Sequence, residues 1–259
     1  MATALITGAS AGLGLEFAWQ LASARHNLVL VARNRERLEG IAQQIESVAG
    51  VHVEVLPADL SQRDQVEVVA KRLRSQDNPV GLLVNNAGYA VHKRFLASDI
   101  GEQEKLLAVM VNSVMVLSQA AAQQMIERGR GAILNVSSVA ALTASGTYSA
   151  HKAWVRSFTE GLAVELNGTG VTATALCPGF VHTEFHERAG IDYSGFPEIA
   201  WLNADQVVAT ALQDVRRGAV ISTPSLRYQL ASGLLRTLPR AAVRALQSNG
   251  GAGRIGSEK

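Results

Sequence analysis

Tyr148 and Lys152 stand four residues apart in the stretch "YSAHK", and on a helix that spacing puts both side chains on one face. A phenol titrates near about 10, so using it at neutral pH takes a shift of roughly 3 units, or about 4 kcal/mol. One ammonium about 4 to 5 Å away supplies on the order of 3 to 4 kcal/mol at an effective dielectric of about 20. The pair can therefore give and take a proton. An isolated Tyr-x-x-x-Lys is more often solvated surface, so the neighbouring stretches have to decide.

The second stretch is "TGASAGLG", Thr7 to Gly14. An apolar run from Thr3 to Thr7 precedes it, and Leu13, Phe17, Ala18 and Leu21 recur behind it at helical spacing, which reads as strand, turn, helix. Glycines at 8, 12 and 14 let the backbone approach a ligand closely, and the new helix offers free N–H groups to a pyrophosphate. Taken alone, a glycine-rich turn without a ligand is an equal reading.

The elements that must position these groups follow in order. "NLVLVA", Asn27 to Ala32, is a buried strand, with an amphipathic helix behind it. At its end, where a carboxylate would grip ribose hydroxyls, stand Ala32 and Arg33. With no carboxylate to repel a phosphate, Arg33 can pair with a 2′-phosphate and stack on adenine, which favours NADP over NAD; the alternative is a solvated helix-start residue. A strand at Val51 to Leu56 ends in "PADLS". There Asp59 and Leu60 face a cofactor's adenine, or Asp59 or Ser61 caps the helix from about Gln62 to Arg74. "VGLLVNNAG", Val80 to Gly88, is a fourth strand closed by two amides and a small turn.

A long helix is expected from about Glu102 to Arg128, its apolar body interrupted by Asn112, either a structural hydrogen bonder or a relay group. "GAILNVSS", Gly131 to Ser138, gives a fifth strand. "VTATALCPGFVHT" gives a sixth, bent at Pro178 and Gly179, and a last strand near Ala219 to Thr223 follows a helix from about Ala204 to Arg216. Strands alternating with helices specify an α/β, doubly wound Rossmann fold: a mostly parallel sheet of six or seven strands with helices on both faces. Residues 1–224 form the dinucleotide-binding catalytic domain, and residues 225–259 form a basic amphipathic extension with a flexible tail.

Composition sets bounds. The chain has 259 residues, 47% hydrophobic and 18% charged, enough for one sizeable core. A formal charge of +2 gives no argument for nucleic acid. The single Cys177 can form no intrachain disulfide, which fits a cytoplasmic setting. No cleavable signal or run of about 18 apolar residues is read. The six histidines are scattered; only His182 and His186 share a helix-compatible spacing, without an evident third ligand, so no metal is expected.

In the order "TGASAGLG", "NNAG", Asn112, "NVSS", "YSAHK" and "PGFVHT", the chain resembles the short-chain dehydrogenase/reductase family in its compact single-domain form, over roughly residues 3–223. The resemblance implies an NADP(H)-dependent oxidoreductase that interconverts a ketone or aldehyde and an alcohol. Tyr148 would be the general acid, Lys152 would tune it and bind the nicotinamide ribose, Ser138 would hold the substrate oxygen, and Asn112 would hold a relay water. Gly8, Ser10, Gly12, Leu13 and Gly14 would line the pyrophosphate. Asn86 would meet the adenosine-side ribose, with Ala87 and Gly88 beside it. Pro178, Gly179, Val181 and Thr183 would border the carboxamide or phosphate region. The loop between Ser138 and Tyr148 is about three residues shorter than the family's, so Ser137 and Ser145 stay in view as lesser candidates. The glycine turn carries Ser10 and Ala11 where NADP users often have a basic residue.

Residues 180–202 hold Phe180, Phe185, Tyr193, Phe196 and Trp201, either a lid over an apolar carbonyl substrate or a small satellite core. From Ser225 to Gln247, leucines on one face and arginines elsewhere predict a helix divided by Pro239. It could pack on a partner subunit, which ranks first, lie on an anionic membrane, or cap the substrate site. The family association implies a homodimer or homotetramer. Competing functions are a dinucleotide-binding sensor without turnover, and epimerisation or dehydration of a nucleotide sugar on the same scaffold.

Overall fold

The computed structural model describes residues 2–90, 95–184 and 197–249. Phe185, His186, Tyr193, Phe196 and the tail from residue 250 lie outside them. In chain order the elements are β1 (Thr3–Thr7), α1 (Gly12–Ser23), β2 (Asn27–Ala32), α2 (Arg35–Ala49), β3 (Val53–Pro57), α3 (Arg63–Arg74) and β4 (Val80–Asn85). Next come α4 (Ile100–Leu107), a π-helical turn (Ala108–Asn112), α5 (Ser113–Glu127), β5 (Gly131–Val136), a 3-10 turn (Val139–Leu142) and α6 (Gly146–Glu165). Then follow β6 (Val171–Leu176), β7 (Phe180–Val181), β8 (Trp201–Leu202), α7 (Ala204–Arg216), β9 (Ile221–Ser222), α8 (Leu226–Thr237) and α9 (Arg240–Asn249).

Seven strands form one sheet in the order β3-β2-β1-β4-β5-β6-β9, and every pairing is parallel. Alternation along β1 divides the core: Ala4 and Ile6 join one cluster with Phe17, Leu38 and Val208, whereas Leu5 joins the other with Val69, Leu117 and Met125. Helices α1, α2 and α7 thus cover one face, and α3 and α5 the other. Each fully buried Leu or Phe contributes about 1.5–3 kcal/mol. The helix from Ile100 to Glu127 is long and apolar enough to cross a membrane, with mean hydropathy 1.5, yet 61% of that stretch is buried against the sheet and α3. It is a core helix.

Asn85 at the end of β4 donates to Asn135 Oδ1 on β5 (2.8 Å) and to Ser118 Oγ on α5 (3.1 Å), and Asn135 Nδ2 donates to Thr159 Oγ1 on α6 (3.0 Å). All four side chains are buried. One amide chain therefore ties the two central strands to the two helices beneath them, and removing any member strands its partners at about 1–3 kcal/mol.

Pro239 divides the C-terminal segment as expected, between α8 and α9. The segment packs on its own chain. Arg240 donates to the carbonyls of Leu142 (2.9 Å) and Thr143 (3.3 Å), and Ser145 Oγ donates to Gln247 Oε1 (2.8 Å). Leu226, Leu230 and Leu234 stay 75%, 76% and 62% exposed along α8.

Candidate active site

The strand order turns back between β1 and β4, and in a parallel sheet that is where ligands bind, at the carboxyl ends of the strands. Thr7 and Asn86 lock the two ends together. Thr7 Oγ1 accepts from the N–H groups of Asn86 and Ala87, both at 3.0 Å, and Asn86 Nδ2 donates to the carbonyls of Thr7 (3.0 Å) and Gly8 (3.3 Å). The Asn86 amide, expected on a ribose, thus shapes the glycine turn itself. Gly8 and Gly12 hold φ of +67° and +52°, the left-handed region that favours glycine. At Gly14 a Cβ would run into the Gly8 carbonyl and the Asn86 amide.

α1 begins after Ala11 with no side-chain cap and no acid in its first turn. Its opening N–H groups, from Gly12 to Gly14, are left to an anion. Thr183 stands across from Gly12, its Cβ 3.4 Å from where a glycine Cβ would be. A backbone cradle that any side chain would fill, at an uncapped helix start, fits a dinucleotide's pyrophosphate. Ser10 and Leu13 lie half-buried on this turn.

On the β2–β3 side, Arg33 is exposed beyond β2. Asp59 accepts from Ser61 N–H (2.9 Å), and its own N–H donates to Gln65 Oε1 (2.6 Å). Neither Asp59 nor Ser61 caps α3; Gln62 occupies that place without a side-chain bond. Leu60 is buried in the core with Val66 and Val69. Tyr89, directly after "NNAG", was passed over in the sequence. Burial pushes its phenol above the usual range, with the Arg33 charge opposing and the Asp59 and Glu102 charges adding, so it lies amid the groups expected around adenosine.

On the other side, Lys152 is 5% exposed, donates from Nζ to the Val136 carbonyl (2.7 Å), and lies 5.8 Å from the centre of the Tyr148 ring. Its Nζ is also 3.7 Å from the Cβ position of Gly88, whose missing side chain keeps the approach open. Burial pushes the ammonium down to about 8. His151 beside it is likewise buried, its pKa lowered first by burial and then by the Lys152 charge.

Ser138 starts the 3-10 turn: its Oγ accepts from Ala140 N–H (3.1 Å) and donates to the Pro178 carbonyl (3.5 Å), which also accepts from Val139 N–H (3.0 Å). Ser137 is buried and donates to the Lys152 carbonyl (2.7 Å), and Ser145 is bonded to Gln247. Both lesser serines are thus engaged in holding structure. Asn112 closes the π-helical turn, where Ser113 N–H reaches back to Ala108, and this turn packs on α6. Its side chain is exposed. Such turns recur at functional sites.

Gly179 and Phe180 lead into β7, which pairs with β8. Phe180 tilts against Trp201 with ring centres 5.7 Å apart, and His182 stacks on Trp201 at 4.7 Å while meeting Glu198 at 3.0 Å. Val181, the second residue of β7, pairs with Leu202 and is buried. Neither two-residue strand nor Tyr228, which reaches Phe180 from α8, carries a periodic signal that sequence could have shown.

The fold and this edge define a class. The profile of the short chain dehydrogenase family matches residues 2–193, and the chain belongs to the short-chain dehydrogenase/reductase family. It is 31% identical over 247 residues to the 17-beta-hydroxysteroid dehydrogenase type 3 of Mus musculus, covering 91% of this chain and 76% of that one. Among solved structures it is similar to a short-chain dehydrogenase from Sphingobium yanoikuyae in complex with NADPH (33% identity, TM-score 0.85, 100% and 98% covered). It is also similar to a bulky-bulky ketone specific alcohol dehydrogenase from Comamonas testosteroni (29% identity, TM-score 0.79, 93% and 96% covered). The protein is an oxidoreductase of this family.

Proposed function

We propose that the protein is an NADP(H)-dependent oxidoreductase interconverting an apolar ketone or aldehyde and its alcohol. The observation that carries the reading is the buried Lys152 Nζ lying 5.8 Å from the Tyr148 ring and beside Gly88 at the strand edge. A nicotinamide held at this edge would supply or accept the hydride. Tyr148 gives its proton to the substrate oxygen in reduction and takes it back in oxidation, so that charge does not build up there. Ser138 holds that oxygen by a hydrogen bond, and the Lys152 ammonium favours the phenolate that remains. Asn112, on the turn packed against α6, supports the route by which Tyr148 regains a proton.

Support for NADP is the exposed Arg33 beyond β2 with no carboxylate beside it, together with the NADPH bound by the Sphingobium relative. An apolar substrate is supported by the Phe180–Trp201 pair and by the ketone named for the Comamonas relative. Association through α5 and α6 is supported by Met115, Ile126 and Val164, which are exposed on those helices.

The test is oxidation of NADPH and of NADH against a panel of bulky ketones and aldehydes, with wild type and Tyr148→Phe side by side. Turnover with NADPH that falls about 10²–10⁴-fold in the variant, with NADPH affinity kept, is the expected result. Tight NADPH binding by wild type with no turnover on any carbonyl would instead favour a dinucleotide sensor.

A further inference from the structure

Gly179 is a glycine that its own backbone does not require. Its φ lies outside the left-handed region that favours glycine, so an alanine there would fit the backbone. What bars a side chain is a ring from 49 residues further on: a Cβ at Gly179 would lie inside the van der Waals envelope of Tyr228 Cζ, Cε1 and Cε2. That ring is not free to swing away. The Tyr228 hydroxyl accepts from Phe180 N–H (3.2 Å) and donates to the Ala200 carbonyl (2.7 Å), so moving it breaks both bonds. Arg227, the preceding residue, donates to the Ile199 carbonyl and fixes the start of α8 against the same strand pair.

We infer that Tyr228 is a positioning residue for the oxidoreductase site, a latch by which α8 sets the Pro178–Gly179 bend and, through it, Ser138. The path is short and consists of direct contacts. The ring lies on Gly179, the hydroxyl bridges Phe180 on β7 to Ala200 just before β8, and the Pro178 carbonyl, next to Gly179, receives both the Ser138 hydroxyl and the Val139 N–H. A second contact from the same extension reinforces it, because Arg240 holds the Leu142 and Thr143 carbonyls at the far end of the 3-10 turn that Ser138 begins. The C-terminal helices thus grip both ends of the serine turn. Displacing a bend that borders the reacting atoms by about 1 Å lowers rates by up to about 10²-fold.

The inference rests on the reading of Ser138 and the bend as parts of the active site. It is tested on the full chain with Gly179→Ala, Tyr228→Ala and the double variant, reading NADPH Kd, kcat and KM for a ketone that wild type reduces, and the folded fraction. Gly179→Ala alone is expected to lower kcat about 10- to 100-fold through the forced ring. In the Tyr228→Ala background the clash is gone, and the same substitution is expected to change kcat less than about 3-fold, a coupling that general destabilisation does not produce. Effects that multiply in the double variant, or a Gly179→Ala enzyme with wild-type kcat, overturn the inference.

Should Gly179→Ala not fold, Tyr228→Phe keeps the ring and removes only the hydroxyl. About a 10-fold lower kcat with KM and melting temperature near wild type supports the latch; unchanged kcat overturns it. If wild type binds NADPH but reduces no carbonyl, the same cycle read on NADPH Kd decides the latch, and only the carbonyl reading fails. Wild type that binds no NADPH removes both.

Discussion

The two sides of the strand edge are built by opposite means. The side at β1, α1 and β4 is made almost wholly of backbone: positive-φ glycines, an uncapped helix start, and Thr7 and Asn86 bonding to main chain within one local motif pair. The side at β5, β6 and β7 is made of long-range side-chain contacts, among them Lys152 on Val136, Ser138 on Pro178, Tyr228 on Gly179 and Arg240 on Leu142. Backbone geometry holds a group common to many reactions, whereas side-chain contacts can be exchanged one at a time as substrates change. The comparison teaches that the glycine turn depends on main-chain geometry locked by Thr7 and Asn86, whereas the serine side depends on side chains drawn from several distant elements.

The strongest way to break this contrast is at Gly14. Gly14→Ala puts a methyl group into the Gly8 carbonyl and the Asn86 amide, and it is expected to cost about 1–3 kcal/mol of stability. It should also weaken NADPH by about 100-fold in fluorescence titration, since the opening N–H groups of α1 would be displaced. Wild-type affinity in this variant would show that the local cradle is not what binds.

A smaller effect is expected beyond β2. Arg33→Ala removes a charge-assisted contact worth about 1.5–3 kcal/mol and should raise NADPH Kd roughly 10- to 100-fold while leaving NADH nearly unchanged. Equal losses for both cofactors would place Arg33 outside the phosphate contact.

The smallest expected change concerns stability and sharpens the other side. Lys152 is held at about 8 in the fold, against about 10.4 for a free lysine. Between those values the unfolded chain binds the proton and the folded chain does not, so stability rises as pH climbs from about 8 to about 10.4 and the charged form is penalised in full below pH 8. Lys152→Met should therefore raise stability at pH 7 by about 1–2 kcal/mol, after loss of the Val136 hydrogen bond, and flatten that rise, while abolishing turnover. Denaturant titrations at pH 7 and pH 10 check both signs; a variant less stable at pH 7 would mean that the buried ammonium is well compensated.

What could be read from sequence follows the same division. β2 and α7 occur with the expected bounds because each is a continuous apolar or 3.6-periodic segment whose signal is local. β3 starts at Val53 rather than Val51, since it runs only as far as its ladder with β2, from Leu28–Val53 to Ala32–Pro57. Asp59 was open as a helix cap, yet its carboxylate closes a turn on Ser61 instead, a local competition that residue type alone does not resolve. Asn85 and Asn135 stand in motifs that invite a ligand, but they point inward and bond each other, which depends on β4 and β5 being neighbours. Tyr228 was invisible because its meaning comes from a glycine in another element.

The π-helical turn at Ala108–Asn112 has a further consequence for how the gene can vary. It amounts to one residue inserted into an otherwise continuous helix, and an α-helix turns by about 100° per residue. The turn takes up that extra residue locally, so the faces of α4 and α5 on either side of it, with Leu106, Leu117 and Ala121 buried, stand as they would in a regular helix one residue shorter. A one-codon deletion within the turn would rewind it to a regular helix and leave both flanking faces turned as they are, so this segment tolerates the loss of one residue better than a regular helical turn does.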